Sequence, residues 1–271
     1  MPSHAFSLDL IALLSVALYL AAAGALARPL LSEGVAPRRI ASIAGGSAVI
    51  LHFAVLFGAH RGALDLHFFA ALSVVAAVIA ALTLIVNLVR PVAALGVIVF
   101  PLAAFLLAID QFLAPPTAPI ALDWQIKLHV TLALIAFGVL SIAALLAVLL
   151  AMQERALRAR QFGKWLRALP PLTLTETLMF RLIAAGFVLL TLALLSGVLF
   201  VHNILAQDLV QKTALSVLAW IVFGVLLVGR AVSGWRGARA VNLTLIGMAV
   251  LLLAFFGSKF VLEEILHRRG V

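Results

Sequence analysis

Seven histidines are the side chains of this sequence with the clearest capacity for metal or cofactor chemistry. They lie at positions 4, 52, 60, 67, 129, 202 and 267, and the sequence contains no cysteine. The lack of cysteine excludes disulfides, zinc–thiolate sites, iron–sulfur clusters and the Cys-x-x-Cys-His attachment motif of c-type haem. Any metal or haem (heme) must therefore use histidine or oxygen ligands. Neutral imidazole is the natural ligand for haem iron here, and two histidines from different helices can supply both axial positions.

Composition indicates which elements position these histidines. Of the 271 residues, 65% are hydrophobic and only 11% are charged, with a mean hydropathy of +1.25. Soluble domains contain about 45–50% apolar and about 25% charged residues. Soluble enzymes, disordered regulators and nucleic-acid-binding domains are therefore excluded, despite a net charge of +9.

Eight apolar runs reach the ~20 residues that a helix needs to cross the hydrocarbon core. They predict an all-α fold, a polytopic bundle of eight transmembrane helices that forms a single integral membrane domain over residues 1–271. No Lys or Arg precedes the first run, so we expect an uncleaved first helix rather than a signal peptide. The predicted spans are about 7–27, 40–58, 67–88, 93–112, 127–151, 178–200, 213–230 and 241–261.

The basic residues predict the orientation of the bundle. Of nineteen, twelve fall in one set of loops, six fall at the opposite ends and one, Arg181, lies within the sixth span. Cytoplasmic loops are enriched in Lys and Arg, so the side with twelve is predicted to be cytoplasmic and both termini to lie outside. Residues 153–169 mix basic with apolar side chains, which predicts a basic interfacial helix continuing the fifth span. The cytoplasmic set is Arg28, Arg38, Arg39, Arg90, Arg155, Arg158, Arg160, Lys164, Arg167, Arg230, Arg236 and Arg239.

This orientation places five histidines near the outer side of the bilayer. His52 lies about twelve residues into the second span, which runs from inside to outside. His129 begins the fifth span and His202 follows the sixth, so both are expected at the outer boundary. His60 and His67 flank the short outer loop between spans two and three. We expect His129 and His202 to ligate haem iron there, with His52 as a further candidate.

A structural role is the alternative for each histidine. A histidine at a helix end can snorkel or cap, and His52 would be satisfied by a hydrogen bond to a neighbouring serine or backbone carbonyl. Trp124 suits the aromatic belt of a membrane protein, although a flat aromatic side chain could also stack on a porphyrin. The histidines expected to snorkel or cap are His4, His60, His67 and His267.

The C-terminal half resembles the cytochrome c assembly membrane proteins, a group that includes the CcsA and CcmC haem-handling proteins. The first four spans match mainly in number and in the Leu51-His52 pair. By this resemblance, His129 matches a periplasmic histidine that opens a helix with an H-V-x-L pattern and is assigned to haem, and His202 follows the L-x-S-G helix. The segments that resemble the family are KLHVTLALIAFGVLSIAALLAVLLAMQE (127–154), LPPLTLTETLMFRLIAAGFVLLTLALLSGVLFVHN (169–203), KTALSVLAWIVFGVLLVGRAVSGWRGARAV (212–241) and LLAFFGSKFVLEEIL (252–266).

One family feature is missing. In the CcsA branch a tryptophan-rich WWD segment follows this helix and cradles the haem, whereas the corresponding stretch here reads NILAQDLVQKTAL. Its absence argues against presentation of haem to an apocytochrome. The chain is therefore most similar to the eight-span HemX/YpjD-type branch, whose members have no settled reaction.

The resemblance implies a haem-handling role in cytochrome c biogenesis at the bacterial inner membrane, where the orientation expected from the basic residues places the N- and C-termini in the periplasm. No phosphate-binding loop, nucleophile elbow or HExxH helix is present, so no catalytic residue is assigned and we expect a binder, conduit or assembly factor rather than an enzyme. The expected partners are the lipid bilayer, haem and other cytochrome c assembly proteins, with no nucleic acid. A scaffold that holds partners through its basic loops and a secondary transporter are the alternative functions.

Overall fold

The computed structural model describes residues 2–31, 37–59, 68–89, 92–114, 123–160, 163, 166, 169–200 and 207–257. These residues contain eight α-helices that are long and apolar enough to cross a membrane, and they contain no strand. The predicted all-α fold with eight membrane-length helices is therefore confirmed, whereas the location of the termini stays a prediction. The helices are α1 (Pro2–Leu31), α2 (Arg38–Ala59), α3 (Phe68–Val89), α4 (Ala93–Phe112), α5 (Trp124–Arg158), α6 (Leu172–Phe200), α7 (Gln207–Ser233) and α8 (Ala238–Leu252), with a π-helix over Leu253–Gly257.

The helix α5 is longer than the span predicted for it. Its 35 residues correspond to roughly 52 Å at 1.5 Å per residue, against a hydrocarbon core of about 30 Å. The apolar run therefore predicted only the part of α5 that is needed to cross the hydrocarbon core. The helix α5 ends at Arg158, and Arg160 has a φ of 53°, a left-handed backbone that cannot extend a right-handed helix. The basic interfacial helix predicted over 153–169 lies partly outside the described residues and stays a prediction.

The chain divides into two compact units of four helices each. Unit one comprises Met1–Leu122 with Phe162–Pro170, and unit two comprises Asp123–Gln161 with Pro171–Val271. In unit one, α1 and α3 each pack against both α2 and α4; in unit two, α5 and α7 each pack against both α6 and α8. Each helix therefore has two neighbours within its own unit.

Polar side chains link the helices of unit one. Ser15 of α1 donates to the carbonyl of Ala48 in α2 at 2.8 Å, and Gln111 of α4 donates to Asp9 of α1 at 2.9 Å. Between helices in lipid the hydrophobic effect contributes little, so packing and hydrogen bonds such as these supply the association energy.

In unit two, small residues let α6 approach its neighbours closely. A Cβ atom built on Gly186 would lie 2.6 Å from Cγ of Leu140 in α5, so a larger residue at this position would force the leucine side chain to shift. On the other side, the indole of Trp220 in α7 stacks on Phe187 with centroids 5.2 Å apart and donates to Thr191 at 2.8 Å. Trp220 is thus a packing residue, as its position inside a span suggests.

The buried carboxylate of Glu176 in α6 binds two arginines, one at the end of α7 and one in the turn between α7 and α8. Glu176 is 3% exposed and accepts hydrogen bonds from Arg236, whose Nη2 lies 2.7 Å from Oε2 and whose Nε lies 3.0 Å from Oε1. Nη1 of Arg230 lies 3.4 Å from Oε1 of the same carboxylate and donates to the carbonyl of Trp235 at 3.1 Å. The guanidinium of Arg230 also lies over the ring of Phe180. We call Glu176, Arg230 and Arg236 the Glu176 clamp.

Candidate functional site

The imidazole of His129 is held between α5 and α6 in unit two. It lies in the second turn of α5, is half-buried, and its Nδ1 is 3.0 Å from Oγ of Ser196 in α6. The next residue of α6, Gly197, faces the ring, since a Cβ atom there would lie 3.1 Å from Cε1 of the imidazole. A hydrogen bond and a close backbone approach together fix where the ring stands.

The second ring nitrogen of His129 is available for a ligand. Among the residues that the structure describes, the ring's hydrogen-bond partners are Ser196, at Nδ1, and the backbone of Ala193 in α6, and no side chain is hydrogen-bonded to Nε2. At the same end of the α5–α6 pair, the indole of Trp124 is 66% exposed and its centroid lies 6.0 Å from that of Phe200, one turn after Ser196. This end of unit two therefore offers an imidazole and an exposed aromatic surface.

The environment of His52, in unit one, is different. Its side chain is fully buried, with Nδ1 3.3 Å from the hydroxyl of Tyr19 in α1 and Nε2 3.0 Å from Oγ of Ser73 in α3. The Tyr19 ring also meets the imidazole edge to face. Both ring nitrogens are occupied by hydrogen bonds, so the described geometry leaves none for a metal and matches the serine-bonded alternative.

Removing the serine partner tests this structural role of His52. We expect Ser73→Ala to lower the free energy of unfolding by about 1–2 kcal/mol, because a buried ring nitrogen loses its partner, and to leave any haem absorbance unchanged. Thermal unfolding in detergent measures the effect, with Ser42→Ala, a half-buried serine of α2, as the control. Loss of haem from the Ser73 variant would instead place His52 at the haem site.

The other predicted histidines cannot be placed in the same way. His60, His67, His202 and His267 lie outside the described residues, and His4 lies within α1. The pairing of His129 with His202 therefore stays a prediction. Within the described part of the chain, no group of three or more His, Cys, Asp or Glu side chains could hold a metal ion.

Three residues of this site were not singled out as site residues from the sequence: Ser196, Gly197 and Phe200. Ser196 is 67 residues from its partner His129, so the pairing depends on how α5 and α6 cross. The available signal was the Ser-Gly pair inside an otherwise apolar span, since small and hydroxyl residues are typical of interhelical contacts in membranes.

Comparisons with known proteins agree with the family resemblance. A model of the cytochrome C assembly protein family matches residues 40–267. Inner membrane protein YpjD of Escherichia coli K12 is 39% identical over 51% of this chain and 52% of its own length, so the chain spans about half the length of this relative. Cytochrome c biogenesis protein CcsA of Chlamydomonas reinhardtii is 25% identical over 62% of this chain and 47% of its own length. No solved structure matches the chain.

Proposed function

Because the chain belongs to the cytochrome c assembly protein family, we propose that it handles haem during cytochrome c biogenesis in a bacterial inner membrane. Its relatives support this assignment through their names, one an inner membrane protein and another a cytochrome c biogenesis protein. The chain would act as a binder, conduit or assembly factor. The haem would be held near the periplasmic face, and His129 would be one of the histidines that hold it.

The observation that supports this proposal is the geometry of His129. Its Nδ1 is hydrogen-bonded to Ser196, which leaves Nε2 as the nitrogen that would ligate haem iron. The ring is half-buried at the end of a helix pair rather than enclosed. The residues present therefore fit a haem.

The surrounding side chains fit the rest of a haem molecule. Bound haem would supply an iron centre within a flat, mostly apolar macrocycle. Trp124 and Phe200 offer aromatic rings at this end of α5 and α6, and aromatic faces stack well on such a surface. We propose that His202, two residues after the end of α6 in the chain, would be the second histidine that holds the haem.

An absorption spectrum tests the proposal. We expect protein purified in detergent from haem-replete, reducing cultures to show a Soret band with the low-spin pattern of two histidine ligands. His202→Ala should weaken binding and convert the spectrum to a high-spin, five-coordinate form, because one nitrogen ligand is lost. His267→Ala and His60→Ala serve as matched controls among the remaining histidines.

Two results would contradict the proposal in different ways. Purified protein without any Soret band under these conditions would overturn haem binding itself. A low-spin spectrum that survives in the His202 variant and is lost in the His267 variant would keep His129 as a ligand and replace the second one.

A further inference from the structure

We propose that Ser196 and Gly197 are positioning residues for the haem ligand: Ser196 selects the tautomer of His129, and Gly197 sets the place of its ring. The inference rests on the proposed function, since it concerns the same imidazole. Neither side chain needs to touch haem for this role. Both act on His129 through contacts that the structure describes.

The hydrogen bonds of Ser196 determine which ring nitrogen has the proton. A serine hydroxyl has one proton, and Ser196 donates it to the carbonyl of Ala193 at 2.8 Å. When Ser196 donates to Ala193, the same oxygen accepts from His129, so we infer that Nδ1, at 3.0 Å, is the protonated nitrogen of the neutral ring. The lone pair is left on Nε2, and acceptance of the Nδ1 proton makes Nε2 a stronger donor to iron.

The missing side chain at Gly197 leaves room for the ring. A Cβ atom there would lie 3.1 Å from Cε1, 3.5 Å from Nδ1 and 3.9 Å from Nε2 of His129. A contact of 3.1 Å is closer than carbon atoms normally approach, so a methyl group would push the imidazole away by a few tenths of an ångström. Because Cε1 lies between the two nitrogens, the displacement moves the hydrogen-bonding and the ligating atom together.

Haem affinity and the absorption spectrum of three variants test the proposal. We expect Ser196→Ala to bind haem about 10–100-fold more weakly, which is the range for loss of a hydrogen bond to a metal-ligating histidine, and to shift the Soret maximum. Ser196→Thr keeps a hydroxyl that can bond to the preceding turn and should stay within a few-fold of the wild type. Gly197→Ala should weaken binding several-fold.

Control variants separate positioning from general packing. Ser141 is also a buried serine that donates to the preceding turn of its own helix, so Ser141→Ala should leave affinity and spectrum unchanged. Gly224→Ala introduces a methyl group that meets Phe187 at an ordinary 3.4 Å and should do the same. Thermal unfolding of each variant shows whether a lost spectrum reflects a lost fold.

The outcomes distinguish this inference from the proposed function. If His129→Ala abolishes haem binding while Ser196→Ala and Gly197→Ala match the wild type in affinity and Soret position, the positioning role is overturned, and His129 remains the proposed haem ligand. If His129→Ala itself retains haem with an unchanged spectrum, the proposed function fails first. Weakened binding in both the Ser196→Ala and Gly197→Ala variants, with rescue by Ser196→Thr, supports the inference.

Discussion

Replacing His129 by alanine is expected to remove nearly all haem that purifies with the protein. The substitution deletes the ring nitrogen that would bond to iron, and changes to a mere hydrogen-bond partner of such a ligand already cost about 10–100-fold in affinity. We therefore expect haem binding at least ~100-fold weaker than in the wild type. The haem content per chain, determined from the absorbance of a pyridine extract, measures this effect.

Addition of free imidazole tests whether the missing ring causes the loss of haem from the His129→Ala variant. Since the alanine variant has a gap where the ring stood between α5 and α6, imidazole at millimolar concentration should restore part of the Soret band. Thr131→Ala is the matched control: Thr131 is exposed on α5, and its hydroxyl donates to the carbonyl of Lys127 in the same helix. A His129→Ala protein with wild-type haem content would contradict the assignment.

The largest effect on stability is expected at the Glu176 clamp. Glu176→Ala leaves the guanidinium groups of Arg230 and Arg236 without their shared carboxylate. The side chains of Arg230 and Arg236 are 33% and 59% exposed, so water solvates part of the charge that Glu176 would leave unpaired. The variant should therefore lose about 2–3 kcal/mol of the free energy of unfolding, less than for a fully buried pair. For a chain of this size the loss corresponds to a fall in Tm of about 5–10 °C, measured by thermal unfolding in detergent.

Two further variants sharpen that test. Glu154→Ala removes a carboxylate of the same unit whose partner Arg158 is 4.0 Å away and 80% exposed, a pair worth about 0.3–0.5 kcal/mol, so its Tm should barely change. Arg239→Ala removes an exposed arginine next to the clamp and should also be neutral. Equal Tm changes for the Glu176 and Glu154 variants would show that the clamp contributes nothing.

The charge of the clamp also has a consequence for pH. The hydrogen bonds from Arg236 to Glu176, and the attraction between the two charges, raise the pKa of Arg236. A raised pKa keeps this cation charged through neutral and alkaline pH, so its contact with Glu176 should persist there. The stabilisation by Arg236 is therefore expected to be constant between neutral and moderately alkaline pH.

The helices could be predicted from the sequence because the hydrocarbon core requires a run of apolar residues of nearly fixed length. For the same reason the predicted ends were less accurate. Outside the hydrocarbon core, water and lipid headgroups accept helices of any composition. The helix α5 therefore extends to Arg158, and α6 begins at Leu172, six residues before the predicted span. Only tertiary contacts and backbone conformation, such as the left-handed Arg160, decide where these helices end.

The candidate site could be predicted only in part. The positions of His52 and His129 along apolar helices could be predicted, but the hydrogen bonds of their ring nitrogens could not, because the partners Ser73 and Ser196 lie on other helices. Glu176 was not recognised from the sequence at all. Its arginine partners had been interpreted through topology alone, although an acid near the end of a span needs a partner or a polar surrounding.

The most direct test of the central claim is a titration of haem-free wild-type protein with hemin, followed at the Soret band beside the His129→Ala variant. Wild-type absorbance should rise to saturation at about one haem per chain, and the variant should give only the linear, unsaturated increase of hemin partitioning into detergent. Superimposable curves for the two proteins would contradict haem ligation by His129.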